Sequence, residues 1–363
     1  MPAAIDPWGR NEVKDYGKIM ADFGLKPFDE FAGAMPDAPT FMRRGGVFAH
    51  RDFGRIFDCV KGKKPFAMLT GLMPSGKFHL GHAMLAQQII YYQQLGAKVF
   101  VTVADIEAYN VRKLPLAELR KIAIEEYILN YFALGLKPKG VDIYFQSERS
   151  IPYYRLIGML SGKTTANEFK AIYGSDEPEK FISVAHQIAD ILHPQLPDYL
   201  GPIPLTVPVG IDQDPHIRYT RDITGRLPEF SFIPPSSTYH KFMKGLQGGK
   251  MSSSDPLSYI ALTDAPEEAE RKIMKHAFSG GRNNIAEHRR LGADLAVDVS
   301  YQYLLYLFEP DDAKMKKITD DYGSGKMLSG EVKQYLAEKV RKFLQGHQKK
   351  REKARNKLAA FSP

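Results

Sequence analysis

The chain has 363 residues, which suits two or three domains, and its 44% hydrophobic and 25% charged content is ordinary for a soluble globular protein. A single cysteine, Cys59, excludes an internal disulfide and a cysteine-clustered zinc site, and a net charge of +8 favours polyanionic partners. No apolar run reaches the roughly 18 residues that span a membrane, and the first residues lack a charged-then-apolar leader pattern, so a cytoplasmic protein with no membrane partner is expected.

Residues 1–60 are mixed in character, with prolines at 27, 36 and 39 and a basic Arg43-Arg44-Gly45-Gly46 turn. They read as an appended N-terminal extension without a core of its own. From Lys64 the pattern changes. Residues 65–70 are a short apolar run, which predicts a buried strand. Residues 71–81 form a turn-rich loop. Residues 82–95 lack Gly and Pro and predict a helix that stops at Gly96, and 98–103 predict a second buried strand. A helix over about 116–134 and a strand over 141–145 repeat the unit. Alternating strands and helices imply an α/β, doubly wound parallel sheet. Ligands in such sheets bind at the carboxyl ends of the strands, where residues 70–82 and 104–107 fall. Residues 177–260 read as irregular and proline-rich. From Pro266 onward the patterns are helical. The last stretch, 331–363, holds ten Lys/Arg against three Glu. Within it, residues 347–357 read as a basic tail suited to nucleic-acid phosphates.

Two loops carry the chemistry. The first is Pro74-Ser75-Gly76-Lys77-Phe78-His79-Leu80-Gly81-His82. A glycine-containing turn from strand to helix lets backbone approach a phosphate, and the helix start favours negative charge. His79 and His82 can donate ring N–H bonds to a triphosphate. The spacing is neither a dinucleotide fingerprint nor the Lys-containing phosphate loop of nucleoside triphosphatases, and no third ligand makes a zinc site. The second loop, Lys250-Met251-Ser252-Ser253-Ser254, supplies one cation and three hydroxyls, a set that suits the charge developing on a leaving pyrophosphate. A third landmark, residues 209–222, contains Gly210, Asp212 and Gln213. There a glycine permits close approach of a sugar or base and the polar groups can bind it. Arg218, Arg221 and Asp222 read as a solvated or ion-paired helix face.

Together, in this order, the His79 and Lys250 loops resemble the two signatures of class I aminoacyl-tRNA synthetases. Nearly the whole chain resembles the archaeal and eukaryotic branch of the tryptophanyl-tRNA synthetase family. The resemblance is carried by Gly46 to Asp52, Lys63 to Phe66, Asp212 to Pro215, Arg218 to Asp222, His276 to Arg282 and Asp298 to Ser300. It implies a Rossmann-like catalytic domain over 61–262, flanked by the extension at 1–60 and a helical anticodon-binding domain at 263–363. It implies ATP and Mg2+, L-tryptophan, tRNA(Trp) and a homodimer. The reaction implied is activation of tryptophan to tryptophanyl-adenylate and transfer to tRNA. A tyrosine enzyme of the same fold, or a synthetase-like binding protein without activity, are the alternatives.

Carried over by position, the resemblance gives catalytic roles to His79, His82, Lys250 and Ser252. It gives an ATP site of Gly71, His79, Gly81, His82, Gly210, Asp212, Lys250, Met251 and Ser252. It gives a tryptophan site of Leu69, Glu107, Gln187, Asp190 and Gln213. Leu69 stands where many relatives have a pocket tyrosine, and Ser253 where the common loop has a second lysine. Glu107 and Gln187 match eukaryotic pocket positions, while Asp190 matches a bacterial one. Indole offers one N–H donor and no strong acceptor, so a selective pocket needs apolar walls and one buried acceptor. Asp190, Glu107 and Gln187 are the candidates for that acceptor.

Overall fold

In the computed structural model, residues 15–175, 177–249, 251 and 255–358 are described. Seven strands form one sheet. In chain order they are β1 (Lys26–Pro27), β2 (Val47–Arg51), β3 (Ala67–Leu72), β4 (Lys98–Val103), β5 (Val141–Phe145), β6 (Leu205–Gly210) and β7 (Ser236–His240). Their spatial order is β1-β2-β7-β6-β3-β4-β5. The five strands from β7 to β5 are parallel, and β2 and β1 add an antiparallel edge. The N-terminal segment therefore continues the sheet, and Phe28, Phe41, Met42 and Val47 enter the main apolar cluster.

Helices cover both faces, as parallel crossovers require. The helix Leu80–Gln94 follows the first loop, and Gly96 at φ +95° turns the chain into β4. The predicted helix over 116–134 is continuous but not uniform. Leu116–Ile122 and Leu129–Leu134 are α-helical, and Ala123–Ile128 between them is a π turn.

Residues 177–260 are more regular than the prolines suggest. They contain the helix Pro178–Leu192, β6, the helix Asp214–Thr224 and β7. The prolines sit where they do no harm. Pro178 and Pro215 lie in first helical turns, where the missing N–H has no intrahelical partner. Pro208 lies in β6 beyond the last residue, Thr206, that pairs with β3.

The last helix, Ser329–Leu358, is not a free tail. Val332, Leu336, Val340 and Leu344 enter the same apolar cluster as β3 and β4. His347 and Ala354 are buried, and Gln348 donates to the carbonyls of Leu262 and Asp264 at 3.2 and 2.8 Å. Residues 347–357, read as a basic tail, are part of this packed helix: one side of the segment is buried, and Lys349, Lys350 and Lys353 on the other are exposed. No helix among the described residues is long and apolar enough to cross a membrane.

Candidate active site

The carboxyl ends of β3, β4, β6 and β7 face one edge of the sheet, because the strands run parallel. The loop after β3 ends in His79, which precedes the helix Leu80–Gln94. The segment after the Lys250 loop pairs with it. Leu80 N–H donates to Ile260 O at 3.1 Å, Leu262 N–H donates to Phe78 O at 2.9 Å, and His79 bridges Ala261. Two stretches about 180 residues apart are thereby zipped along their backbones.

Met251 reaches the same place. A Cβ on Gly81 would stand 3.2 Å from Met251 Sδ and 3.0 Å from the His79 ring. The Lys250 loop is braced below this contact by Gly245 N–H to Gly249 O at 2.6 Å and Leu246 N–H to Ser258 O at 2.7 Å. Lys250 and Ser252, both predicted site residues, lie outside the described residues.

The rings of His79 and His82 stack with centroids 3.8 Å apart. His79 N–H donates to His82 Nδ1 at 3.1 Å, so a neutral His82 carries its proton on Nε2. Burial pushes His79 down to about 4, and burial plus the neighbouring His79 holds His82 well below the usual imidazole range. Both rings are neutral near pH 7, so each offers one N–H rather than a charge.

Gly71 ends the loop side of β3 with an open flank: a Cβ there would meet nothing within 4 Å. Gly210 is the opposite case. A Cβ there would stand 2.6 Å from Asp212 Oδ1 and 2.7 Å from the Phe242 ring, so only glycine fits. Gln213 precedes the helix Asp214–Thr224. The helix face that follows is ion-paired, as read from sequence: Arg218 meets buried Asp214 at 2.9 Å, and Arg221 meets Asp52.

The second group of residues surrounds Asp190, buried on the helix Pro178–Leu192. Its Oδ1 accepts from Tyr144 and Tyr153 hydroxyls at 2.8 Å each, and its Oδ2 from Gln146 Nε2 at 2.8 Å. Burial raises its pKa to about 7 against the pull of these three donors, and the charge of Glu107 raises it further. A carboxylate has about four acceptor positions, so one remains, enough for a single ring N–H. Gln187 Oε1 is buried with no hydrogen-bond partner among the described residues. Leu69 supplies apolar wall in a cluster with Phe100, Ile191 and Val207.

The structure thus gathers Glu107 and Asp190 in one region, with Leu69 packed beside Ile191, and Gly81, His79, His82 and Met251 in another. Tyr144, Gln146 and Tyr153 were not singled out from sequence. A signal existed for the first two: they sit at the carboxyl end of β5, where ligands of such sheets collect.

The profile of the class I tRNA synthetases (W and Y) matches residues 61–345. The chain belongs to this family. Its similarity extends over almost its full length. It is 48% identical to the tryptophan–tRNA ligase of Aeropyrum pernix over 97% of this chain and 95% of that protein. It is 46% identical to the tryptophan–tRNA ligase of Hyperthermus butylicus over 98% and 97%. The crystal structure of the tryptophanyl-tRNA synthetase of Aeropyrum pernix superposes with a TM-score of 0.89 at 47% identity, covering 97% of each chain. As a class I synthetase, the chain uses ATP as a substrate.

Proposed function

We infer that the chain is a tryptophan–tRNA ligase. It activates L-tryptophan with ATP to tryptophanyl-adenylate and pyrophosphate, then transfers the tryptophanyl group to tRNA(Trp). The observation that carries the reading is the near-full-length likeness to tryptophan–tRNA ligases at 46–48% identity. It favours tryptophan over the tyrosine alternative. The presence of His79, His82 and Lys250 in sequence, with Met251 beside Gly81, speaks against a binding protein that has lost the chemistry.

In this reading the tryptophan carboxylate attacks the α-phosphate of ATP, and no protein nucleophile takes part. Catalysis is positioning and electrostatic stabilisation. The neutral His79 and His82 donate N–H bonds to the triphosphate, Gly81 lets Met251 and the His79 ring close in on the helix start, and Gly71 leaves the strand end accessible. Lys250, Met251 and Ser252 complete the phosphate site, Lys250 as the cation. Gly210 and Asp212 border the adenosine. Leu69, Glu107, Gln187, Asp190 and Gln213 form the tryptophan pocket, with Asp190, Glu107 or Gln187 taking the indole N–H.

No group of three or more His, Cys, Asp or Glu side chains able to hold a metal gathers among the described residues. In this reading Mg2+ arrives on the ATP phosphates as part of the substrate. A homodimer is supported by exposed apolar side chains on three neighbouring helices: Tyr109 and Val111 on Asp105–Arg112, Ile151 (75% exposed) and Tyr154 on Ile151–Leu160, and Ile182 on Pro178–Leu192. We read the cytoplasm as its place of work.

The test is charging of a tRNA(Trp) transcript with labelled tryptophan. Charging that needs ATP and this tRNA supports the reading. Charging of tRNA(Tyr) with tyrosine instead contradicts it.

A further inference from the structure

The π turn Ala123–Ile128 lies beside the His79 loop and is gripped from its other side by the last helix. The turn is defined by the Leu129 N–H reaching back five residues to Ile124 O. Such turns recur where a helix must aim particular side chains. Two consecutive residues here face the first signature. Glu126 Oε2 accepts the Phe78 N–H at 3.4 Å, and its Oε1 lies 3.7 Å from Lys77 Nζ. Tyr127 bonds Ser75, and its ring meets His82 edge-on with centroids 5.3 Å apart. The loop residues on either side of Gly76 are thus tied to one turn of helix.

The other side of the turn belongs to Ser329–Leu358. Asn130, fully buried, donates through Nδ2 to the Glu126 carbonyl and accepts through Oδ1 from His347 Nε2 at 2.7 Å. Burial pushes His347 down to about 4, so its ring is neutral and its Nε2–H is a steady donor. Arg351 donates to the Glu125 carbonyl, and Arg355 pairs with the Glu125 carboxylate at 2.9 Å. The contacts run without a gap from His347 through Asn130 and Glu126 to Phe78, next to His79.

We propose that Glu126 is a positioning residue for adenylate formation, holding the His79 loop in register, and that the last helix fixes Glu126 through His347 and Asn130. The proposal rests on the assignment of the His79 loop to ATP phosphates. Glu126 does not touch the reacting atoms. It pins the backbone N–H one residue before His79, so its removal loosens the ring that meets the triphosphate while leaving the tryptophan pocket alone. Misplacement of a catalytic group by about 1 Å costs on the order of 10²-fold in rate. A loosened but still zipped loop loses less.

The experiment measures single-turnover adenylate formation, tryptophan Kd and thermal unfolding for wild type, Glu126→Ala, Glu126→Gln, His347→Ala and the Glu126→Ala/His347→Ala double variant. Glu126→Ala is expected to slow the step about tenfold with tryptophan Kd within about twofold of wild type. Glu126→Gln should recover most of the rate, because its amide oxygen still accepts the Phe78 N–H. His347→Ala should slow the same step, and the double variant should lose no more than the worse single one. A Glu126→Ala rate within twofold of wild type, a proportional loss of tryptophan binding, or losses that multiply in the double variant would each overturn the proposal. Glu126→Ala and Glu126→Gln decide the first half even where His347→Ala unfolds, because both leave His347 in place and Gln keeps the volume of a side chain that is only 19% exposed. Wild type that makes no tryptophanyl-adenylate is a failure of the function assigned above. A competent wild type with an indifferent Glu126→Ala is a failure of this proposal alone.

Discussion

Met251 Sδ lies 3.2 Å from the point where a Cβ on Gly81 would stand. One loop fills the space that the other leaves by having no side chain. The same Cβ would also crowd the His79 ring at 3.0–3.1 Å.

Gly81→Ala should therefore slow adenylate formation without unfolding the protein. The His79 ring or Met251 has to give by a few tenths of an ångström, and a fall of about tenfold in pyrophosphate exchange is expected. Exchange unchanged in Gly81→Ala would show that the contact is incidental.

The two loop histidines should stay neutral across the physiological range. Burial lowers His79 to about 4 and holds His82 below its ordinary value. Below about pH 6.5 the unfolded chain takes up protons there that the folded chain refuses, so these groups contribute stability above that pH and lose it as pH falls toward 4. Ring resonances of both, followed by NMR, should not titrate between pH 5.5 and 8. A midpoint near 6.5 for either ring would contradict the burial argument.

Asp190 should behave in the opposite sense. Its carboxyl, raised to about 7, gains a proton as pH falls through neutrality and loses an acceptor. A raised folded pKa also means that the contribution of this group to stability is full below about pH 4 and is lost as pH rises through about 7. Tryptophan affinity should weaken below about pH 7 in wild type, and Asp190→Asn should remove that dependence. The variant should raise KM for tryptophan about tenfold, the order expected for one hydrogen bond to a charged group, while KM for ATP stays within about twofold. Asp190→Ala is a poorer test, because it strands the Tyr144, Tyr153 and Gln146 donors in the interior. An Asp190→Asn enzyme with the wild-type pH dependence would pass the indole-binding role to Gln187 or Glu107.

Truncation at residue 346 should damage tryptophan activation and lower Tm together. It removes the His347 bond to Asn130, the Gln348 bonds and buried Ala354. Replacing exposed Lys349, Lys350 and Lys353 by Gln should instead spare activation and make the salt dependence of tRNA binding shallower. A truncated protein with full activity and unchanged Tm would contradict a structural role for the end of this helix.

The residues that announced themselves in the sequence are those whose type is dictated by a local demand. The apolar runs at β3 to β5 can only be buried, and Gly81 and Gly210 occupy points where a Cβ collides. Proline density hid the helix Pro178–Leu192 and β6, because the harm a proline does depends on which N–H it removes, and pairing partners are not visible in sequence. The Tyr144, Gln146 and Tyr153 shell of Asp190 and the His347–Asn130–Glu126 chain join residues up to 217 positions apart. No spacing rule reaches that far. The last helix misled by its charge: its lysines are conspicuous, and the packed side that binds the π turn is not.

The most direct test is ATP–pyrophosphate exchange by the purified chain with each of the twenty amino acids in turn. Tryptophan alone should support rapid exchange, with tyrosine and phenylalanine lower by orders of magnitude, because an unpaired buried acceptor penalises a ring without the indole N–H. Exchange supported equally by tyrosine, or by no amino acid, would contradict the account.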